Sequence, residues 1–405
     1  MKETKFKNTE IGKIPEEWET LYIHQITEIS TGATPSTNIN EYWENGTIRW
    51  MSSGELNNKI IYDVNGRITQ KGYDNTGTHM LPKNCVLIGL AGQGRTRGTA
   101  AYNKVELCTN QSIAAILPNS KYESKYLYFY IDSLYDKLRL LSAGDGGRGG
   151  LNKQILQNLE ITMPPLNEQH RIVSALTSID NLIFSLGKLI EKKKNIKQGA
   201  MQQLLTGKTR LKGFNEPWME KKLGDIGSLA MCKRIFQEET SEKGDVPFYK
   251  IGTFGQQADA YITKGKYEQF KQMYRFPQKG DVLISAAGTI GRTVIYNGEP
   301  AYFQDSNIVW LAHNGKYITN NFLFYIYQRT DWNTEDTTIA RLYNNNFNNT
   351  CIHFPSSITE QQAIANILSK MDNEITALET KKAKYEAIKQ GMMQQLLTGK
   401  IRLIS

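Results

Sequence analysis

The side chains best suited to chemistry in this 405-residue chain are arginines and lysines set among glycines. Arg95 and Arg97 lie in the run Gly92-Gln-Gly-Arg-Thr-Arg-Gly98, directly after the apolar stretch 86–90. Arg292 ends the matching run Gly288-Thr-Ile-Gly-Arg292. Glycine lets a backbone approach a phosphate closely, and an arginine fork can bond a guanine edge through two hydrogen bonds. The same logic picks out Lys233, Arg234, Arg148 and Arg341, although any one of them taken singly fits a solvated turn equally well. A net charge of +9 favours an acidic partner, nucleic acid first.

Enzyme signatures fail on inspection. Thr206-Gly207-Lys208-Thr209 ends like a phosphate-binding loop, but Gln202 stands where that loop needs its first glycine. Met163-Pro164-Pro165-Leu166 lacks the polar first and aromatic last residues of the amino-methyltransferase tetrapeptide. Gly144, Gly146 and Gly149 fit a dinucleotide fingerprint, but they follow an expected helix and Arg148 interrupts them. Five histidines show no metal-binding spacing, and four widely separated cysteines read as reduced core residues of a cytoplasmic protein. No run of 18 or more apolar residues exists, which predicts no membrane-spanning segment.

The elements that must carry these loops declare themselves by repetition. A block beginning Glu168-Gln169 and ending Gln202-Gln203-Leu204-Leu205-Thr206-Gly207-Lys208 recurs 192 residues later, from Glu360-Gln361 to Gln394-Gln395-Leu396-Leu397-Thr398-Gly399-Lys400. Apolar residues at Ile172, Leu176, Ile179, Ile183, Leu186 and Ile190 alternate in steps of four and three. Ile364, Leu368, Met371, Ile375 and Leu378 repeat the pattern, which is that of a coiled-coil seam. Both seams weaken and then resume, at Ile196, Ala200 and Leu204 and at Ile388, Met392 and Leu396. Pro164-Pro165 with Asn167 as cap should start the first helix, and Thr359 with Gln362 should form a capping box for the second. Gly207 and Gly399 should stop them in the left-handed conformation. A helix over residues 168–206 would be roughly 58 Å long and needs a partner. Its own duplicate is the nearest candidate, as an intramolecular coiled coil. The alternative is that each stripe packs on its own globular part.

Each helix follows about 150 residues of mixed strand and helix signals, and these two segments are diverged copies. Val86-Leu-Ile-Gly-Leu-Ala-Gly92 recurs as Val282-Leu-Ile-Ser-Ala-Ala-Gly288, and Gln111-Ser112-Ile113 matches Asp305-Ser306-Asn307. The helices kept their register while the globular parts drifted, which suggests a rigid spacer carrying two heads that read different things.

This order resembles the specificity subunit of type I restriction-modification systems. So do Thr31-Gly-Ala-Thr-Pro-Ser36, Tyr42-Trp43-Glu-Asn-Gly46, Trp50-Met-Ser-Ser-Gly-Glu-Leu56 and the run Cys232-Lys-Arg-Ile-Phe236 that opens the second copy. The resemblance covers essentially the whole chain. It implies an α/β fold: two mixed α/β target-recognition domains separated by an antiparallel pair of long helices, with a pseudo-two-fold relation. Expected segments are a first recognition domain (1–164), a helical spacer (165–212), a second recognition domain (213–355) and a second helical spacer (356–405). It further implies a bipartite double-stranded DNA site, modification (methyltransferase) subunits docked on the helices, and restriction subunits in the full complex. S-adenosylmethionine, ATP and Mg²⁺ would bind those partners and not this chain, which would be non-catalytic. Thr34, Ser36, Ser52 and Ser53 thereby join the candidate DNA contacts, and Lys250 is a further candidate in the second copy, where the Thr-Gly-Ala-Thr-Pro-Ser pattern is not repeated. Two rival readings are a self-sufficient DNA methyltransferase or nuclease, and a coiled-coil scaffold with no nucleic-acid role.

Overall fold

The structure, a computed structural model, describes residues 5–92, 94–142, 150–332 and 341–404. Arg148, Gly144, Gly146 and Gly149 lie outside the described residues. The chain divides into two compact units, one running up to Gly187 and again from Thr380, the other Lys188–Glu379. The division falls inside both long helices, Leu166–Leu204 and Ile358–Leu396, and not at their ends. The reason is packing, since each half-helix is anchored in the core of one unit.

In the first unit a five-stranded sheet has the order Ile29–Thr31, Ile113–Ile116, Val86–Gly89, Ala100–Asn103, Ile60–Ile61. Its strands Val86–Gly89 and Ile113–Ile116 are apolar and buried throughout because both faces of the sheet are covered. Val86, Ile88, Ala114 and Ile116 enter a core shared with the helix Ser124–Ser133. Leu87, Ala101, Ile113 and Ala115 enter a second core with Met51, Leu56 and Leu81. The second unit repeats the plan with strands Ser228–Met231, Ile308–Ala312, Val282–Ser285 and Thr293–Ile295. Val282, Ile284, Val309 and Leu311 face one core, and Leu283, Ile308 and Trp310 the other. Each unit also has a three-stranded sheet with one parallel pairing: Ile48–Met51 with Cys108–Thr109, and Val246–Tyr249 with Tyr302–Phe303.

Both units contain an antiparallel pairing of half-helices. In the first, Ile172 and Leu176 share a core with Met393, Leu396 and Leu397, and Lys389 Nζ lies 2.6 Å from Asp180. In the second, Leu204 shares a core with Ile364, Ala365 and Leu368. There Lys193 pairs with Glu374 at 2.6 Å and Lys197 with Asp372 at 2.5 Å. The first turns of each stripe also enter the core of a head, as the second of the two expected packing modes has it. Ile179, Leu186 and Ile375 are buried, whereas Ile183, Met371 and Leu378 are half-buried. The resumed seam is not buried throughout, because Ile196 and Ile388 are 47% and 39% exposed. By length and composition one stretch of Leu166–Leu204 is apolar enough to cross a membrane. In this fold the buried apolar residues at its two ends belong to the cores.

The helix ends differ from expectation in detail. The first helix already begins at Leu166, so Asn167 is inside its first turn. The second is capped by Ser357, whose Oγ accepts from the amide of Glu360 at 3.5 Å, and not by Thr359. The stops follow the glycine reading: Gly207 and Gly399 both have φ of 70°. A Cβ on Gly399 would come within 2.5 Å of Pro15.

Candidate nucleic-acid interface

The Glu-Gln pair that opens each repeated block is buried, with Glu168 at 2% and Glu360 at 0% exposure. A buried carboxylate must be paired. Arg402 Nε and Nη2 donate to the two Glu168 oxygens, each at 2.7 Å. Trp18 Nε1 adds a bond of 3.0 Å and the Leu403 amide one of 3.3 Å. Glu360 receives the same fork from Arg210, again with both bonds at 2.7 Å. Trp218 takes the place of Trp18 in the second unit, but its buried Nε1 has no hydrogen-bond partner among the described residues. Gln169 and Gln361 accept from the backbone amides of Glu123 and Thr319, at the starts of the neighbouring helices. These four residues hold a long helix to its head and are spent on that task.

In the first unit the loop after the strand Ile29–Thr31 is drawn tightly against the sheet. A Cβ on Gly32 would sit 1.8 Å from the Thr109 carbonyl oxygen, so only glycine fits there. Trp50 Nε1 donates to the Ala33 carbonyl and Trp43 Nε1 to the Ser36 carbonyl, both at 3.0 Å, and the two indoles meet edge to face. This leaves Thr34 and Ser36 exposed. The Thr34 hydroxyl donates to Gln111 Oε1 at 2.6 Å, and Gln111 is exposed too. Ser52 is half-buried and caps the short helix Ser53–Asn58, its amide donating to Glu55 at 3.1 Å. Ser53 opens that helix and is also half-buried. The loop carrying Arg95 and Arg97 is fixed through its backbone. The Arg95 carbonyl accepts from Thr99 Oγ1 at 2.6 Å and from the Tyr135 hydroxyl at 3.1 Å. The Arg95 side chain is exposed and Arg97 is half-buried.

The second unit has different chemistry at the same places. After the strand Ser228–Met231, Lys233 and Arg234 are both exposed. Lys233 Nζ stands 5.3 Å from the centre of the Tyr274 ring. Arg234 Nε donates to Asp305 Oδ2 at 2.8 Å. The neighbouring Ser306 has φ of 55°, and its Oγ accepts from Arg341 Nη2 at 2.9 Å. Arg292 Nη1 donates to the Phe254 carbonyl at 2.9 Å and so steadies the loop that begins at Lys250. Lys250 itself pairs with Asp259 at 2.9 Å. Arg292 and Arg341 thus make contacts that fix neighbouring loops, whereas Lys233 and Arg234 present charge outward. Sequence reasoning does not single out Gln111, Asp305 or Tyr274 as site residues. The available signal is the match between Gln111-Ser112-Ile113 and Asp305-Ser306-Asn307.

Among the described residues no group of three or more His, Cys, Asp or Glu is placed to hold a metal ion. Burial pushes the Cys85 and Cys232 thiols up to about 12, so they stay protonated at neutral pH. Cys351 differs from the core placement expected of all four cysteines: it is exposed, at the start of the strand Cys351–Pro355.

Comparison with known proteins agrees across sequence and fold. The family model described as "Type I restriction modification DNA specificity domain" matches residues 15–198 and again 215–390. A Haemophilus influenzae protein described as a type I restriction enzyme specificity subunit, S.HindORF215P, is 38% identical over 288 residues, covering 68% of this chain and 74% of the relative. The MjaVIII specificity subunit of Methanocaldococcus jannaschii is 25% identical over 429 residues, covering 99% and 97%. In fold, the chain is similar to the crystal structure of a type I restriction-modification S subunit from M. genitalium, with a TM-score of 0.61 at 16% identity over 94% of this chain and 96% of that one. A structure described in terms of complex assembly of the type I system gives 0.59 at 17% identity, over 96% and 99%.

Proposed function

The chain belongs to the type I restriction-modification DNA specificity family, and from that premise we propose that it reads a bipartite double-stranded DNA site, one half per head. It is a non-catalytic specificity subunit. The observation that carries this is the double match of the specificity domain, over residues 15–198 and 215–390, on two heads of one plan. Methylation belongs to modification subunits docked on the long helices and cleavage to restriction subunits, and S-adenosylmethionine, ATP and Mg²⁺ go with them. The expected setting is the cytoplasm, together with the DNA.

The functional division of labour follows residues 1–164 and 213–355 as readers and 165–212 and 356–405 as spacers. Lys233, Lys250 and Arg95 are suited to phosphates, which set affinity and register. Thr34, Ser36 and Arg234 are suited to base edges, most plainly in the major groove. Arg97, Ser52 and Ser53 border the same loops, and Arg292 and Arg341 act by holding them. Helix seams built on Ile172, Leu176, Ile179, Ile183 and Leu186, with Ile364, Leu368, Met371, Ile375 and Leu378, keep the spacing.

Salt dependence of DNA binding by the assembled complex tests the reading. With six to ten phosphates contacted, affinity should fall about 10³–10⁵-fold between 50 and 200 mM salt. A flat profile would remove DNA as the ligand.

A further inference from the structure

In both heads one side-chain pair spans the same gap, from the loop leaving the first sheet strand to the turn entering the strand beside it. The pair is Thr34 with Gln111 in the first head and Arg234 with Asp305 in the second. We propose that this pair is a specificity-determining position, reading guanine in the second half-site through Arg234 and adenine in the first through Gln111. The proposal rests on the DNA reading above and assigns it a base class.

The argument is one of buttressing. Arg234 is exposed, yet Asp305 holds its Nε, and the Asp305 side chain is itself only 16% exposed. Arg341 fixes the adjoining Ser306, so the carboxylate sits on a braced turn. With Nε occupied, no hydrogen bond engages Nη1 or Nη2 of Arg234 among the described residues. Those two donors form the fork that matches guanine O6 and N7. An arginine fixed in this way loses less side-chain freedom on binding than a free one. Lys233 beside it is left to meet a phosphate.

Gln111 is presented by the same logic with neutral groups. The Thr34 hydroxyl donates to Oε1 and fixes the amide plane. The second lone pair of Oε1 can accept from adenine N6, and Nε2 can donate to N7. A neutral amide makes a poor partner for a guanine O6/N7 edge, because that edge offers two acceptors and Gln brings only one donor group to the pair.

The test uses the complex with its methyltransferase subunits. The methylated motif is mapped on random DNA, and binding is then measured on duplexes varied one base pair at a time. The expected result is a guanine in the second half-site whose replacement weakens binding about 5- to 150-fold, and an adenine of like weight in the first. Arg234→Ala should erase only the guanine preference, and Gln111→Ala only the adenine preference. Arg234→Lys, which keeps the charge without the fork, should also lose the guanine preference while still binding. Arg234→Ala weakening every duplex alike, with a salt slope lower by about one, would make Arg234 a phosphate contact and overturn the proposal. Unchanged base preferences in either variant would overturn it as well. A wild-type complex with no two-part motif would overturn the DNA reading itself, a result distinct from either of these.

Discussion

The two units are built alike where a long helix meets its head and differ where the loops face outward. Each buries a glutamate under an arginine fork and a glutamine on a helix start. At the loop pair one unit has Thr with Gln and the other Arg with Asp. The clasp resists single changes because losing either partner leaves a buried or half-buried charge without its mate. The loop pair is freer to change because Thr34, Gln111 and Arg234 are exposed, so on the proposed reading a new pair would alter what is read more than whether the unit folds.

The clasps are not quite equal, and this gives the sharpest way to break the comparison. Glu168 has Trp18 and the Leu403 amide besides Arg402, while among the described residues the Glu360 carboxylate accepts from Arg210 alone. Arg210→Met should therefore destabilise the second unit more than Arg402→Met does the first, because it leaves the Glu360 carboxylate without a donor while Glu168 keeps two. Denaturant unfolding followed separately in each unit would show it. Equal losses would mean that Trp18 and the Leu403 amide contribute nothing. A smaller effect follows from the tryptophans. Trp18→Phe removes a donor to a buried carboxylate and should cost about 1–3 kcal/mol, whereas Trp218→Phe, whose Nε1 has no partner among the described residues, should stay within about 0.5 kcal/mol on that count. A Trp218 variant as costly as Trp18 would show that the indole acts by packing alone.

Much of the frame is legible in the sequence, because periodicity and helix stops are local. The seam from Ile172 and from Ile364, the two glycines at φ of 70° and the paired heads all follow from spacing. What is not legible depends on distant approach. Glu168 meets Arg402 across 234 residues, and no pattern in either segment announces it. Ser357 caps the second helix although Thr359 has the better motif, since the helix starts at Ile358, ahead of Thr359. Ile196 and Ile388 continue the seam in sequence and are exposed in space. In the loops, residue type points to Arg292 and Arg341 as readers, and only the fold shows their hydrogen bonds to the Phe254 carbonyl and to Ser306. Gln111 and Asp305 are matched in sequence but not marked as site residues, because their contacts with Thr34 and Arg234 form only once the turns are folded.

The central claim is that each head reads its own half of the site. The most direct measurement is the methylated motif of the assembled complex, determined for the chain and for Arg292→Ala. Because Arg292 steadies the Lys250 loop of the second head alone, the account predicts two specified blocks separated by an unread gap, with the variant relaxed in one block only. A single continuous motif, or equal relaxation of both blocks, would contradict it.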